Sequence, residues 1–149
     1  MDSQQIEILG RNRVVDLLVR EDLEVAFPLR DKGIDLIAFI SPEGGAYAAT
    51  PIQLKVSSKT GFSLDQKYLR VPNLRLVHAW HVDDGEERQY FVLTYPEALA
   101  VMTTMGYAAS PTWESTGYYA NTRPGAALLQ QLIPFRVAPG QWRGRLGLA

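Results

Sequence analysis

The feature that most constrains the fold of this chain is residues 32–58, which predict two adjacent β-strands joined by a turn. Residues 36–40 are a short apolar run bounded by turn-forming residues, as in a buried strand. After Pro51, apolar and polar residues alternate, which predicts a second strand with one buried face. The sequence Ser-Pro-Glu-Gly-Gly at residues 41–45 is typical of a turn, so the whole stretch predicts a β-hairpin.

Three functional side chains converge if the two strands pair about Gly44. In that register Asp35 lies opposite Gln53, and Lys55 lies diagonally beside them, all within about 5 to 8 Å. Asp35 and the side-chain oxygen of Gln53 are oxygen ligands of the kind that Mg²⁺ prefers. Lys55 could orient a nucleophile or stabilise an anion. The hairpin therefore predicts a site for metal-assisted phosphodiester hydrolysis.

The sequences GIDLI at residues 33–37 and IQLK at residues 52–55, preceded by a predicted helix, resemble the PD-(D/E)XK nuclease superfamily. This is the restriction-endonuclease-like and Holliday-junction-resolvase-like fold, and the resemblance covers roughly residues 5–95. It implies an α/β fold with a mixed β-sheet of about five strands flanked by helices, here with a C-terminal helical extension. It also implies a DNA endonuclease that uses Mg²⁺ or Mn²⁺. The chain departs from the family at Gln53, where Glu or Asp is usual, so one negative charge is missing from the metal site.

Residues 4–21 predict the helix that precedes the hairpin, with apolar residues at helical spacing. Gly10 in its interior suggests close packing against the sheet. Glu7 precedes Val14 by seven residues, so it should point nearly along the core-facing stripe. The resemblance implies that an acid from this helix completes the metal site, and Glu7 is the matching position. The alternatives are an i, i+4 pair of Glu7 with Arg11 on a solvated face and Asp31 as a substitute ligand.

Basic residues cluster in two parts of the chain, although the net charge is only −1. Residues 55–75 hold five basic residues and one acid, Asp65, while the tail from residue 135 holds three arginines and no acid. This separation could let one face meet phosphates, and the alternative is a solvated surface with chance clustering. The predicted nucleic-acid contacts are Lys59, Lys67, Arg70, Arg75 and Arg143.

Length and composition predict one domain over residues 1–149, with a core at about residues 5–105 and a C-terminal loop, helix and arm at residues 106–149. Hydrophobic residues make up 46% and charged residues 21%, as in ordinary globular proteins. With no cysteine and two histidines, a Cys/His zinc site is excluded. The chain shows neither a membrane span nor a signal segment, so we expect a cytoplasmic protein. A homodimer is an expectation from the family alone.

The rest of the chain carries weaker signals. Residues 23–28 predict a short first strand, with Val25 and Phe27 as its apolar face. Residues 74–82 and 89–94 predict a second hairpin about Asp84-Gly85, and a capping box at Thr94 and Glu97 predicts a helix up to Gly106. His78 and His81 should face opposite sides of a strand, and a core role is favoured over catalysis. Residues 107–124 are predicted to be an irregular loop whose aromatic side chains stack on bases, fix the loop or fill a dimer contact. Residues 125–133 predict a last helix, and residues 135–149 a partly ordered arm.

Three functional hypotheses follow from these observations. The first is a metal-dependent endonuclease of the PD-(D/E)XK kind. The second is a weakened relative that binds nucleic acid or a protein partner without cleavage, which the Gln at position 53 favours. The third is an unrelated α/β binding module in which Asp35 and Lys55 form a cross-strand ion pair, worth roughly 0.2 to 1 kcal/mol.

Overall fold

A computed structural model describes residues 1–40 and 45–148. The predicted turn of the first hairpin lies outside the described residues, apart from Gly45. Among the described residues, no helix is both long enough and apolar enough to cross a membrane.

The centre of the fold is a mixed five-stranded sheet, as predicted. The strand order is β1-β2-β3-β5-β6, in which only the β3–β5 pair is parallel. The strands are β1 (Glu24–Ala26), β2 (Leu36–Phe39), β3 (Ala49–Val56), β5 (Arg75–Trp80) and β6 (Gln89–Thr94). Helices flank this sheet, so the predicted α/β class is confirmed. Strand β3 begins at Ala49, three residues earlier than the alternating pattern indicated.

Helix α1 (Ser3–Val19) covers one face of the sheet. It begins with a capping box, in which Gln5 N donates to Asp2 Oδ1 and Asp2 N donates to Gln5 Oε1, each at 2.9 Å. Gly10 is buried against β3, and a Cβ atom at this position would clash with the Val56 side chain. Both the helix and the close approach at Gly10 are therefore confirmed.

The second hairpin and the helix after it also follow the prediction. Strands β5 and β6 pair with Trp80 opposite Gln89, which centres the turn on Asp84-Gly85. Helix α2 (Tyr95–Thr104) begins with the predicted capping box at Thr94 and Glu97. Gly106 follows this helix with φ 78°, a left-handed conformation that favours glycine.

The segment predicted as an irregular loop is instead ordered into regular elements. It contains helix α3 (Pro111–Thr116) and strand β7 (Tyr118–Asn121), and β7 pairs antiparallel with β4 (Phe62–Asp65) in a second, two-stranded sheet. Ser110 caps α3 through a hydrogen bond from Trp113 N, at 3.2 Å. The prediction was wrong because a four-residue strand shows too little alternation to be recognised, and its partner lies far away in the sequence.

The C-terminal arm is part of the core, so its prediction as a partly ordered segment was wrong. After α4 (Ala126–Leu132) come a short 3₁₀ turn (Ile133–Phe135) and α5 (Trp142–Arg145). Trp142 and Leu146 are fully buried on the α1 side of the sheet. The Glu21 carboxylate accepts hydrogen bonds from the backbone N–H groups of residues 140, 142 and 143, which fixes the arm against the end of α1.

The first strand is shorter than its apolar pattern suggested. We predicted residues 23–28, with Val25 and Phe27 on an apolar face, but β1 has only three residues and Phe27 is 57% exposed. Instead, the Arg11 guanidinium lies over the Phe27 ring, 5.3 Å from its centroid. This contact lies on the same side of the molecule as the cavity described next, because Arg11 also lines that cavity.

Candidate active site

The predicted register of the first hairpin is confirmed. Leu36 pairs with Ile52 and Ile37 pairs with Pro51. Asp35 immediately precedes Leu36, and its N–H donates to Ile52 O at 2.8 Å. This register brings Asp35 beside Gln53. Two short antiparallel strands thus carry the first two predicted site residues to the same position.

Asp35 and Gln53 both contact the main chain at the point where the pairing of β2 with β3 ends. Leu54 N donates to Asp35 Oδ2 at 2.7 Å, and Gln53 Nε2 donates to Leu54 O at 3.4 Å. Strand β2 pairs with residues 49–52, so on the β2 side of Leu54 these side chains take the place of a neighbouring strand, while β5 pairs with Leu54 on the other side. One oxygen of the Asp35 carboxylate is therefore already used.

The side-chain oxygen of Gln53 is a buried acceptor without a partner. Among the described residues, no donor lies within hydrogen-bond distance of Oε1. A buried polar atom that lacks a partner costs about 1 to 3 kcal/mol. Because Nε2 donates to the backbone at 3.4 Å, Oε1 remains an unused acceptor within the described residues.

Lys55 is held by Tyr68, a residue that the sequence analysis did not assign to the site. Lys55 Nζ donates to Tyr68 Oη at 2.6 Å and lies 5.0 Å from the centroid of its ring. Asp35 and Lys55 are not within the 4.0 Å of an ion pair, so the simple cross-strand pair of the third hypothesis does not form. Tyr68 lies in the 3₁₀ helix Gln66–Arg70 and contacts Lys55 of β3 only in the folded chain. The sequence therefore has no periodic pattern that identifies Tyr68 as a site residue.

Glu7 reaches the same place from α1, although not in the predicted way. Its side chain is exposed, so it does not point into the core as the helical spacing suggested. The alternative pair with Arg11 does not form either, since only Arg20 and Lys67 make ion pairs among the described residues. Glu7 and Arg11 instead both face a cavity.

This cavity, which we call the hairpin cavity, has a volume of about 560 Å³. All four predicted catalytic residues line it, and so does Asp31, whose Oδ1 accepts from Gly33 N at 3.2 Å. The opposite wall is formed by β4 and β7, including Tyr118 and Asn121. This wall was not predicted, because residues 118–121 were expected to belong to an irregular loop.

The charges in the hairpin cavity act on Asp35. Burial raises the pKa of the Asp35 carboxyl above its ordinary value, and the hydrogen bond from Leu54 opposes this rise. The nearby carboxylates of Asp31 and Glu7 raise the pKa further, while the Lys55 ammonium lowers it. Burial is therefore the main cause of the raised pKa of Asp35, and the charges of its neighbours act in both directions.

His78 forms part of the cavity wall and is 2% exposed. Its ring stacks on Phe62 with centroids 5.3 Å apart, and Nε2 lies 3.3 Å from both the nitrogen and the carbonyl oxygen of Ser63. Burial lowers the pKa of His78 to about 4. His78 is therefore neutral at pH 7, in agreement with its predicted place in the core.

The fit to a metal ion depends on oxygen donors rather than on an acidic cluster. In the part of the chain that the structure describes, no group of three or more His, Cys, Asp or Glu side chains could hold a metal. Asp35 and Gln53 nevertheless both line the hairpin cavity, and their side chains carry a carboxylate and an amide oxygen. Mg²⁺ is commonly held by one or two protein ligands together with water and substrate phosphate. The residues present therefore fit a weakly held, substrate-assisted cation.

The five predicted nucleic-acid contacts do not line the hairpin cavity. Lys59, Lys67 and Arg70 are exposed on the segment that follows β3. Arg75 and Arg143 have structural contacts instead: Arg75 Nε donates to the carbonyl of residue 145, and Arg143 Nη1 donates to that of residue 21. Lys59 and Arg70 remain available to a ligand, Lys67 lies 3.9 Å from Asp65 Oδ2, and the last two are engaged with the backbone.

No family model, curated protein or solved structure matches this chain. The resemblance to PD-(D/E)XK nucleases is therefore supported only by the quoted motifs. The functional assignment depends on the site itself.

Proposed function

We propose that this protein is a metal-dependent endonuclease that hydrolyses phosphodiester bonds in DNA, as the PD-(D/E)XK resemblance implies. The observation that supports this most directly is that Glu7, Asp35, Gln53 and Lys55 all line the hairpin cavity. Helix α1, strand β3 and the residue just before β2 contribute these side chains. A purely structural role does not require them to share one cavity.

Asp35 and Gln53 hold the divalent cation, Mg²⁺ or Mn²⁺, with Glu7 at the rim. When bound, such a cation activates a water molecule and neutralises charge on the phosphate. The Gln53 amide contributes through Oε1, the buried acceptor that has no partner in the described protein. With one carboxylate fewer than usual at this position, we expect the cation to bind weakly without substrate.

Lys55 and Arg11 supply the positive charge that a scissile phosphate needs. The hydrogen bond of Lys55 Nζ with Tyr68 Oη fixes the ammonium before substrate arrives, and such preorganised charge favours the transition state. Arg11 lines the same cavity without an ion-pair partner among the described residues. Lys59, Lys67 and Arg70 then contact the backbone of the DNA on either side. A homodimer in the cytoplasm is part of this proposal.

The test is a cleavage assay on supercoiled and branched DNA with Mg²⁺ or Mn²⁺. We expect Asp35→Asn and Lys55→Met to lower the rate by about 10² to 10³-fold. Asn at position 35 keeps an acceptor for Leu54 N–H, so the fold should survive. Glu87→Gln is the matched control, because Glu87 is exposed and lies outside the cavity. Unchanged cleavage by folded Asp35→Asn protein would refute the proposed site.

A second candidate function is nucleic-acid or protein binding without cleavage. It is favoured by the use of Asp35 Oδ2 as a cap for Leu54 N–H and by the neutral amide at position 53. Under this alternative the wild type cleaves nothing, but loss of Lys59 and Lys67 lowers a salt-dependent affinity for DNA. Gln53→Glu separates the two candidates further. If the added carboxylate creates cleavage that the wild type lacks, the natural protein is a binding relative.

A further inference from the structure

A second and larger cavity lies on the other side of α1, and we call it the arginine cavity. Its volume is about 890 Å³, within the range of small-molecule sites. Three parts of the chain form its walls: α1, the end of the β5–β6 hairpin and the C-terminal arm. It shares no lining residue with the hairpin cavity.

The side chains that line the arginine cavity carry a net positive charge. Four arginines line it, against one acid, Asp16, which pairs with Arg20 at 2.8 Å. None of the four forms an ion pair within the described residues. These arginines are Arg13, Arg88, Arg136 and Arg145. The four guanidinium groups carry like charges and therefore repel one another. An anion bound between them would reduce this repulsion.

Two of the arginines are held in place by the main chain. Arg13 Nε donates to Val82 O at 2.6 Å, and Arg145 Nη2 donates to Pro134 O. These contacts use one N–H group each, while a guanidinium has five. Arg88 and Arg136 make no side-chain hydrogen bond within the described protein, so their donors are free for a ligand. The guanidinium group is planar and presents its N–H donors as a fork, which matches the geometry of the oxygens of a phosphate.

The aromatic wall of the cavity supports the same conclusion. Trp142 is fully buried there, and its indole Nε1 has no hydrogen-bond partner among the described residues. Tyr90 packs edge-on against it, with ring centroids 5.7 Å apart. Burial raises the pKa of Tyr90, while the charges of Arg88 and Arg13 lower it, so both guanidiniums act on this ring. Apolar side chains from α1 and the arm complete a surface for an organic group.

We propose that the arginine cavity binds a small phosphate-bearing organic ligand, with the phosphate held by Arg88 and Arg136 and the apolar part against Tyr90 and the apolar side chains of α1 and the arm. This site is separate from the proposed nuclease site. The size of the cavity matches a ligand larger than inorganic phosphate. The binding involves no covalent step.

The experiment is isothermal titration calorimetry of the full chain with phenyl phosphate, inorganic phosphate and phenol. We expect saturable binding of one phenyl phosphate, weaker binding of inorganic phosphate and none of phenol. Arg88→Gln and Arg136→Gln should each weaken phenyl phosphate binding about 10-fold, since each removes a charge-assisted hydrogen bond. Both variants leave the described hydrogen bonds intact. Arg123→Gln is the control, because Arg123 is exposed and lines neither cavity.

Three results would overturn the proposal. One is the absence of saturable heat with phenyl phosphate. Another is equal affinity in wild type and the Arg88→Gln/Arg136→Gln double variant, both shown to be folded by urea unfolding. The third is loss of DNA affinity in that double variant when phenyl phosphate does not bind, which would make this face a nucleic-acid contact. Asp35→Asn separates this proposal from the proposed nuclease function, because the substitution should abolish cleavage and leave phenyl phosphate binding unchanged.

Discussion

Acidification should destabilise this protein through His78, well before most carboxylates titrate. The folded protein holds the buried imidazole neutral, with a pKa of about 4, whereas an unfolded chain has the ordinary value of 6.5. Between these values the unfolded chain binds one proton more than the folded protein. Stability therefore falls as the pH decreases from 6.5 towards 4.

The size of the effect follows from the same two pKa values. Each pKa unit corresponds to about 1.4 kcal/mol. His78 should therefore lower the free energy of unfolding by about 1.4 kcal/mol at pH 5.5 and by about 3 kcal/mol near pH 4, relative to neutral pH. Asp35 acts in the opposite direction. Its raised pKa disfavours the charged carboxylate in the folded protein, and protonation removes that cost. The contribution of His78 is therefore best measured as a difference between two proteins.

Urea unfolding of the wild type and His78→Gln, from pH 7.5 to pH 5, measures that difference. We expect the wild type to lose about 1.4 kcal/mol more than the variant between pH 7.5 and 5.5. His81→Asn is the control, because it removes the other histidine while Asn tolerates the positive φ of 53° at this position. Parallel pH profiles for the wild type and His78→Gln would refute the reasoning. So would an NMR titration in which His78 protonates near pH 6.5.

Three further predictions concern packing and the site. Gly10→Ala should lower the free energy of unfolding by about 1 to 3 kcal/mol, because its Cβ overlaps the Val56 side chain; an unchanged urea midpoint would contradict this. Tyr68→Phe should lower the free energy of unfolding by about 1 kcal/mol, because it removes the hydroxyl that accepts from Lys55. In a double-mutant cycle, most of this effect should disappear when the same substitution is made in the Lys55→Met protein. Trp142→Ala should cost about 3 to 5 kcal/mol and change the near-UV circular dichroism, because Trp142 is fully buried. A cost below 1 kcal/mol would mean that the arm packs only loosely.

Local signals in the sequence were enough for much of the fold. The capping box at Thr94 and Glu97, the centre of the second hairpin and the glycine of α1 were all predicted correctly. Each depends on residues a few positions apart, or on a backbone requirement that only certain residues meet. The register of the first hairpin was also correct, because a one-residue slip would have turned Ile52 away from the core.

The errors have a common physical cause. Strand β7 and the C-terminal arm contain no repeating apolar pattern, and they are ordered by contacts with distant parts of the chain. Glu21, for example, binds backbone N–H groups at residues 140–143, more than a hundred residues away. Such pairings have no sequence period, because they depend on which surfaces the rest of the fold leaves uncovered.

By itself, the sequence determined the helix, the hairpin and the meeting of Asp35 with Gln53, since strand pairing transmits register directly from residue order to position. Only the tertiary structure decided that Tyr68 fixes Lys55 and that Glu7 is exposed at the rim of the cavity. It also gathered the arginines of the second cavity from α1, a hairpin and the arm. Side chains from separate elements meet only after the layers pack. Their proximity is therefore a property of the folded chain as a whole.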